Sequence, residues 1–214
     1  MKTINISKDK EYQTQRDNPT DPHGTCNTTA SINALLSSGI RFNYPFGMQP
    51  EEHLTRFMES PESWEKMRKE YPWAVTQGYH PRHVHDMLAW GVNRLVGRTA
   101  DIFRVDASIQ EILFNIAAAQ CAVNVCGRFT SYGHIVTVVG FTSEQDDVDA
   151  CQEPGDIDLP RVIKIIIDDP YGNYFSKYQN PDGNNVYFPV ADFNFLTREY
   201  GDHSKKWAHF FVRG

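Results

Sequence analysis

Near residue 120 the hydrophobic pattern of this chain changes period, and that change restricts the folds open to it. Before it, apolar residues recur at the roughly 3.6-residue spacing of amphipathic helices; after it they alternate or gather in short runs, as in strands. A first helix is expected to open at Thr25 or Cys26, with Ala30, Ile32, Leu35 and Leu36 on its buried face and Gly39 as its stop. Pro50–Met58 and Pro61–Glu70 each place Pro where a first helical turn tolerates it, and Ser60 caps the second, so both read as surface helices. Residues 81–95 bring Val84, Leu88 and Leu95 near one face, with Gly91 as a weak point. Ser108, Ile109, Gln110 and Glu111 form a capping box that starts a helix running to about Gln120. Strands are expected over 122–125, 134–141, 162–167, 186–188 and 208–212.

Helices first and antiparallel strands afterwards predict an α+β domain, its N-terminal helices packed on one side of a C-terminal antiparallel β-sheet. Residues 1–25, polar and without period, read as an extended N-terminal arm crossing the surface. A length of 214 residues suits one domain spanning 1–214, expected as a monomer. With 27 acidic against 21 basic residues and no basic run, a nucleic-acid partner is excluded, since such binding depends on neutralising phosphates. No apolar stretch approaches the ~18–20 residues of a membrane span. The first seven residues lack the apolar core of a secretory signal peptide, so synthesis in the cytoplasm is expected. Cysteines at 26, 121, 126 and 151 are too sparse for a disulfide scaffold and read as thiols.

Four segments carry residue types that make a nucleophilic site. Cys26 follows the polar loop Asp21-Pro22-His23-Gly24-Thr25 at a helix N-terminus, where unpaired N–H groups and the helix dipole favour a thiolate. Alone, a Cys there is more often a small buried residue, so partners decide. His134, preceded by Gly133, opens the strongest strand signal, where imidazole can take a thiol proton or pair with a thiolate. Asp168 and Asp169 end the apolar run before Pro170 and point to opposite faces, so one of them can fix the imidazole while the other serves a turn. Upstream, residues 12–18 contain amide donors that could support an oxyanion together with the Cys26 N–H.

In this order the chain resembles the papain-like cysteine peptidases of the C39-like type, a group that includes bacteriocin leader peptidases and related bacterial and phage domains. The resemblance rests on Gln15-Arg16-Asp17-Asn18, Gly24-Thr25-Cys26-Asn27-Thr28-Thr29-Ala30, Gly133-His134-Ile135-Val136-Thr137-Val138-Val139-Gly140-Phe141 and Asp168-Asp169-Pro170-Tyr171-Gly172. It departs from many relatives in having Asn27 where they carry Gly, and in a longer Gln-to-Cys gap. It implies a papain-like fold, Cys26 as nucleophile, His134 as base and later acid, Asp169 as orienting carboxylate and Gln15 as oxyanion donor, with Gln13 as the alternative. No metal or organic cofactor is implied. Leader peptidases of the group are usually fused to transporter domains, whereas a stand-alone domain resembles the phage and bacterial cell-wall-directed members. The implied activity is therefore cysteine peptidase cleavage of a peptidoglycan substrate, endolysin-like, acting on the cell wall after release. The alternatives are a protein-directed peptidase or deamidase and a non-enzymatic papain-like binding module.

Other features read as structure. His80 and His83 share a helix face, His85 points elsewhere, and no Cys or carboxylate completes a tetrahedral set, so the three mark an exposed helix start. Cys121 and Cys126 read as core thiols, and Cys151 as exposed in the acidic loop 144–158, itself a solvated hairpin loop. Aromatics of the last third, among them Tyr171, Tyr174, Tyr178 and Tyr200, are expected to pack the sheet, with some near Gly172 lining a cleft.

Overall fold

The computed structural model of the protein describes residues 1–78, 80–197 and 204–214, and Tyr200 lies outside the described residues. Local chemistry sets most helix boundaries. Helix α1, Cys26–Ser37, stops before Gly39, whose φ of +68° suits a residue without a Cβ. Helices α2, Pro50–Met58, and α3, Pro61–Glu70, start on their prolines, and the Ser60 hydroxyl accepts the Ser63 N–H at 3.3 Å. A single turn, α4, Ala74–Gln77, precedes α5, Pro81–Val96. Helix α6, Ile109–Ala117, opens on a reciprocal cap: Ser108 Oγ accepts the Glu111 N–H at 3.1 Å and Glu111 Oε2 accepts the Ser108 N–H at 2.8 Å. The seven-residue α7, Val190–Leu196, and α4 are too short to display a helical period, which is why neither was expected.

The strands are β1, Lys2–Asn5; β2, Asp101–Ala107; β3, Val123–Gly127; β4, His134–Ser143; β5, Val162–Asp168; β6, Val186–Pro189; and β7, Lys206–Phe211. They form one antiparallel sheet in the order β2-β7-β3-β4-β5-β6, with β1 also on β4. Strand β4 is buried along its whole length and lies at the centre of the core. Its first half pairs with β3, from Gly127↔His134 to Val123↔Val138, and its second half with β1, from Asn5↔Gly140 to Lys2↔Ser143.

The molecule is thus an α+β protein, but the expected segregation of helices and strands is corrected at two places. The start of the N-terminal arm is a strand, because the half of β4 beyond β3 needs hydrogen-bond partners that β1 supplies. Gly140 permits this approach, since a side chain there would run into the Ile4 carbonyl oxygen. Strand β2 lies between two helices in sequence and pairs with β7. The acidic loop is tied to the core by Val148 and Ile157, and Cys151 is buried, not exposed, with its sulfur 3.5 Å from Gln145 Nε2. Among the described residues no helix is long and apolar enough to cross a membrane.

Helix α1 runs antiparallel to β3 on one face of the sheet. Ser38 Oγ accepts the Ala122 N–H at 2.9 Å, the Asn124 amide lies 3.5 Å from Ser31 Oγ, and Thr137 Oγ1 donates to the Ala30 carbonyl at 3.0 Å. Moving down α1 therefore moves up β3, which brings the end of β3 towards the first turn of α1.

One buried group works against the fold. Glu51, at the start of α2, is fully buried, and among the described residues neither carboxylate oxygen has a hydrogen-bond partner. Burial, with smaller contributions from Asp17 and Glu52, pushes its carboxyl up to about 7. Its folded value lies above the unfolded one, so stability is lost as pH rises from ~4.3 through about 7, on the order of 3 kcal/mol in all. Glu51→Gln is expected to raise the melting temperature at pH 8 and to change it little at pH 4, as thermal melts at the two pH values will show.

Candidate active site

The loop before α1 is braced by its own polar side chains. Asn18 Oδ1 accepts the N–H groups of Thr20 and Asp21 at 3.0 and 3.1 Å, and Asp21 Oδ1 accepts those of His23 and Gly24 at 3.1 and 2.9 Å. Thr25, at the N-cap, donates its hydroxyl to the Asp21 carbonyl at 2.8 Å and caps nothing in the first turn of α1. The N–H groups around Cys26 are therefore left to the cleft, where they can meet negative charge.

On the sheet, Gly133 at φ +83° turns the chain into β4, and His134 is its first residue. His134 Nε2 lies 2.7 Å from Asp169 Oδ1, with both side chains buried. Asp169 follows the last residue of β5 and is locked in place: its N–H donates to the Gly183 carbonyl at 2.9 Å, Tyr12 Oη donates to its carbonyl at 2.5 Å, and Oδ1 also accepts the Tyr171 N–H at 2.9 Å. With Nε2 engaged, Nδ1 is the nitrogen left for the Cys26 thiol. Burial alone would lower the imidazole, but the hydrogen bond to Asp169, the nearby Cys26 sulfur and the charges of both outweigh it and hold His134 up to about 9. The imidazolium is thus the favoured form beside Cys26 at neutral pH, the state in which a Cys–His pair is nucleophilic.

Cys26 and His134 line one cavity of about 320 Å³, together with Asn27, His85, Cys126 and Trp207. Among the described residues none of its lining side chains is a carboxylate, Lys or Arg. Asp168 takes the other role open to the pair. It turns to the opposite side, accepting from Ser7 Oγ at 2.8 Å and the Asn185 N–H at 2.9 Å, and burial raises its carboxyl to about 6. Tyr178 packs edge-on to His134, its hydroxyl donating to the Phe129 carbonyl at 3.2 Å. Burial and the nearby Asp169 charge push that hydroxyl up.

The two glutamines sit elsewhere. Gln15 is buried with Nε2 donating to the Pro22 carbonyl at 3.0 Å, so its amide braces the loop that delivers Cys26. Its Oε1 is buried without a partner. Gln13 donates to the Glu11 carbonyl at 2.7 Å and lines a different cavity, beside Arg41 and Tyr44. The Pro22 carbonyl takes one of the two Nε2 hydrogens of Gln15, so the oxyanion role expected of it rests on the second, beside the N–H groups of the first turn of α1.

Two further corrections concern residues read as structural. His80 and His83 cap α5 reciprocally, but His85 is buried and reaches His209 at 3.0 Å. Cys126 stands on the cavity wall, 3.4 Å from His85 Nε2, not in the core. The signal for His85 was available: with Leu88, Ala89 and Val92 it forms the buried stripe of α5. Among the described residues no three His, Cys, Asp or Glu side chains converge as a metal set. No protein-family model, no curated protein and no solved structure matches the chain.

Proposed function

We propose that this protein is a cysteine hydrolase that cleaves an amide bond, with Cys26 as nucleophile, His134 as acid and base, and Asp169 as the carboxylate that orients the imidazole. The observation that carries the reading is a thiol at a helix N-terminus sharing one cavity with an imidazole whose other nitrogen is held by a buried carboxylate. Cys26 Sγ attacks the carbonyl carbon and the oxyanion gathers at the first-turn N–H groups of α1. His134 protonates the leaving nitrogen as the C–N bond breaks. Water, deprotonated by His134, then attacks the thioester and releases the acid, returning Cys26 to its thiolate.

A helix bearing the thiol against an antiparallel sheet bearing imidazole and carboxylate supports a papain-like arrangement of the C39-like type. Beyond the catalytic pair, the described residues of the cavity wall carry no carboxylate, Lys or Arg, which favours small neutral residues at the scissile bond, and peptidoglycan stem peptides and cross-bridges offer these as Ala and Gly. Peptidoglycan peptides are therefore the proposed substrate. Purified sacculi digested with the wild type are expected to release peptides with new amino termini, detected by mass spectrometry, while Cys26→Ser releases none. Intact muropeptides beside a protein cleaved in a Cys26-dependent manner would replace the substrate but keep the hydrolase; cleavage of neither would leave a binding module.

The imidazolium is the proton donor to the leaving group, and its folded value of about 9 sets where that donor is lost. Activity is expected to decline as pH rises through about 9, seen as the alkaline limb of a kcat/KM profile.

A further inference from the structure

Across the cavity from Cys26 runs a second chain of polar groups that the proposed hydrolysis does not use. Asp101 is buried at the start of β2, and its Oδ2 accepts from His209 Nδ1 at 2.9 Å, with Oδ1 at 3.1 Å. His209 Nε2 in turn lies 3.0 Å from His85 Nδ1. On its other side His85 Nε2 lies 3.4 Å from Cys126 Sγ. Burial, then the neighbouring His209, lowers His85 to about 3 and keeps it neutral. The Cys126 thiol is pushed up by burial and by the charges of Cys26 and Asp101, so at rest it holds its proton.

The register of α1 on β3 points the same way. Ala122 meets Ser38 and Asn124 meets Ser31, so Cys126, two residues further along the same strand face, comes alongside the first turn that carries Cys26. Both sulfurs line the same cavity.

We infer that Cys26 and Cys126 form a peroxide-responsive thiol pair, in which Cys126 closes a reversible disulfide onto an oxidised Cys26. The inference rests on the reading of Cys26 as an activated thiol. A hydroperoxide gives one oxygen to the Cys26 thiolate: the O–O bond breaks, an S–O bond forms, and hydroxide or alkoxide leaves, so sulfur loses two electrons to the peroxide. Cys126 then attacks that sulfur: an S–S bond forms, the S–O bond breaks, and the departing hydroxide takes the Cys126 proton and leaves as water. A dithiol reduces the pair by exchange and restores both thiols.

Protein treated with a small excess of hydrogen peroxide, quenched with iodoacetamide and mapped by mass spectrometry is expected to yield a Cys26–Cys126 cross-linked peptide that dithiothreitol reverses. In Cys126→Ser the same treatment is expected to carry Cys26 on to sulfinic acid, which dithiothreitol does not reverse. Rapid alkylation of reduced Cys26 without the cross-link, or cross-links to Cys121 or Cys151 instead, overturns the thiol pair and leaves the hydrolase standing. A Cys26 no more reactive towards iodoacetamide than an ordinary free thiol overturns both.

Discussion

Cys26→Ala is expected to reduce turnover of the scissile amide by roughly 10⁴–10⁶-fold, because the covalent route is removed and only binding and the oxyanion donors remain. The measurement is initial rate on a defined peptide released from sacculi, against wild type at equal concentration. A second consequence needs no substrate. The nearby Cys26 sulfur helps to hold His134 at about 9, so its removal is expected to move the NMR titration midpoint of His134 down while Asp169 still supports it. Retained activity would mean that another nucleophile does the work. A midpoint still near 9 would mean that thiol and imidazole do not interact.

Asp169→Ala is expected to lower kcat by roughly 10²–10⁴-fold, measured on the same peptide. The carboxylate is fully buried, and its Oδ1 serves both His134 and the Tyr171 N–H, so alanine frees the imidazole and leaves a half-buried backbone donor without its acceptor. Asp169→Asn keeps an oxygen acceptor and loses the charge, so its loss of rate is expected to be smaller and the alkaline limb to move to lower pH. The same pairing couples folding to protons. His134 is raised from 6.5 in the unfolded chain to about 9 in the fold. It therefore contributes on the order of 3 kcal/mol that is fully present below pH 6.5 and lost as pH rises through about 9. In Asp169→Asn, urea denaturation across that window is expected to show a flatter dependence.

The site was legible where its chemistry is local. A turn-forming loop, a helix start and a Cys placed between them can be read from adjacent residues, and Cys26 is where that reading puts it. Asp168 and Asp169 were separable only as a pair of opposite faces. Which one meets His134 depends on how β5 registers against β4, with Thr137 opposite Asp168, and short apolar runs carry no information about register. The surroundings of Gln15 were hidden for a related reason: its distance along the chain from Cys26 says nothing about the Pro22 carbonyl to which its amide donates.

What the sequence determined by itself are properties that neighbours a few residues apart decide: helix starts and stops, the turn into α1, the apolar runs of the central strands, and the acidic balance of the surface. Only the tertiary structure decided which strand supplies partners to the second half of β4, which aspartate faces the imidazole, and that His85, His209, Asp101 and Cys126 meet. The physical reason is that these are pairings between segments far apart in the chain. They are selected by burial of the whole sheet and by the requirement that every buried polar group find a partner, and no local pattern encodes that choice.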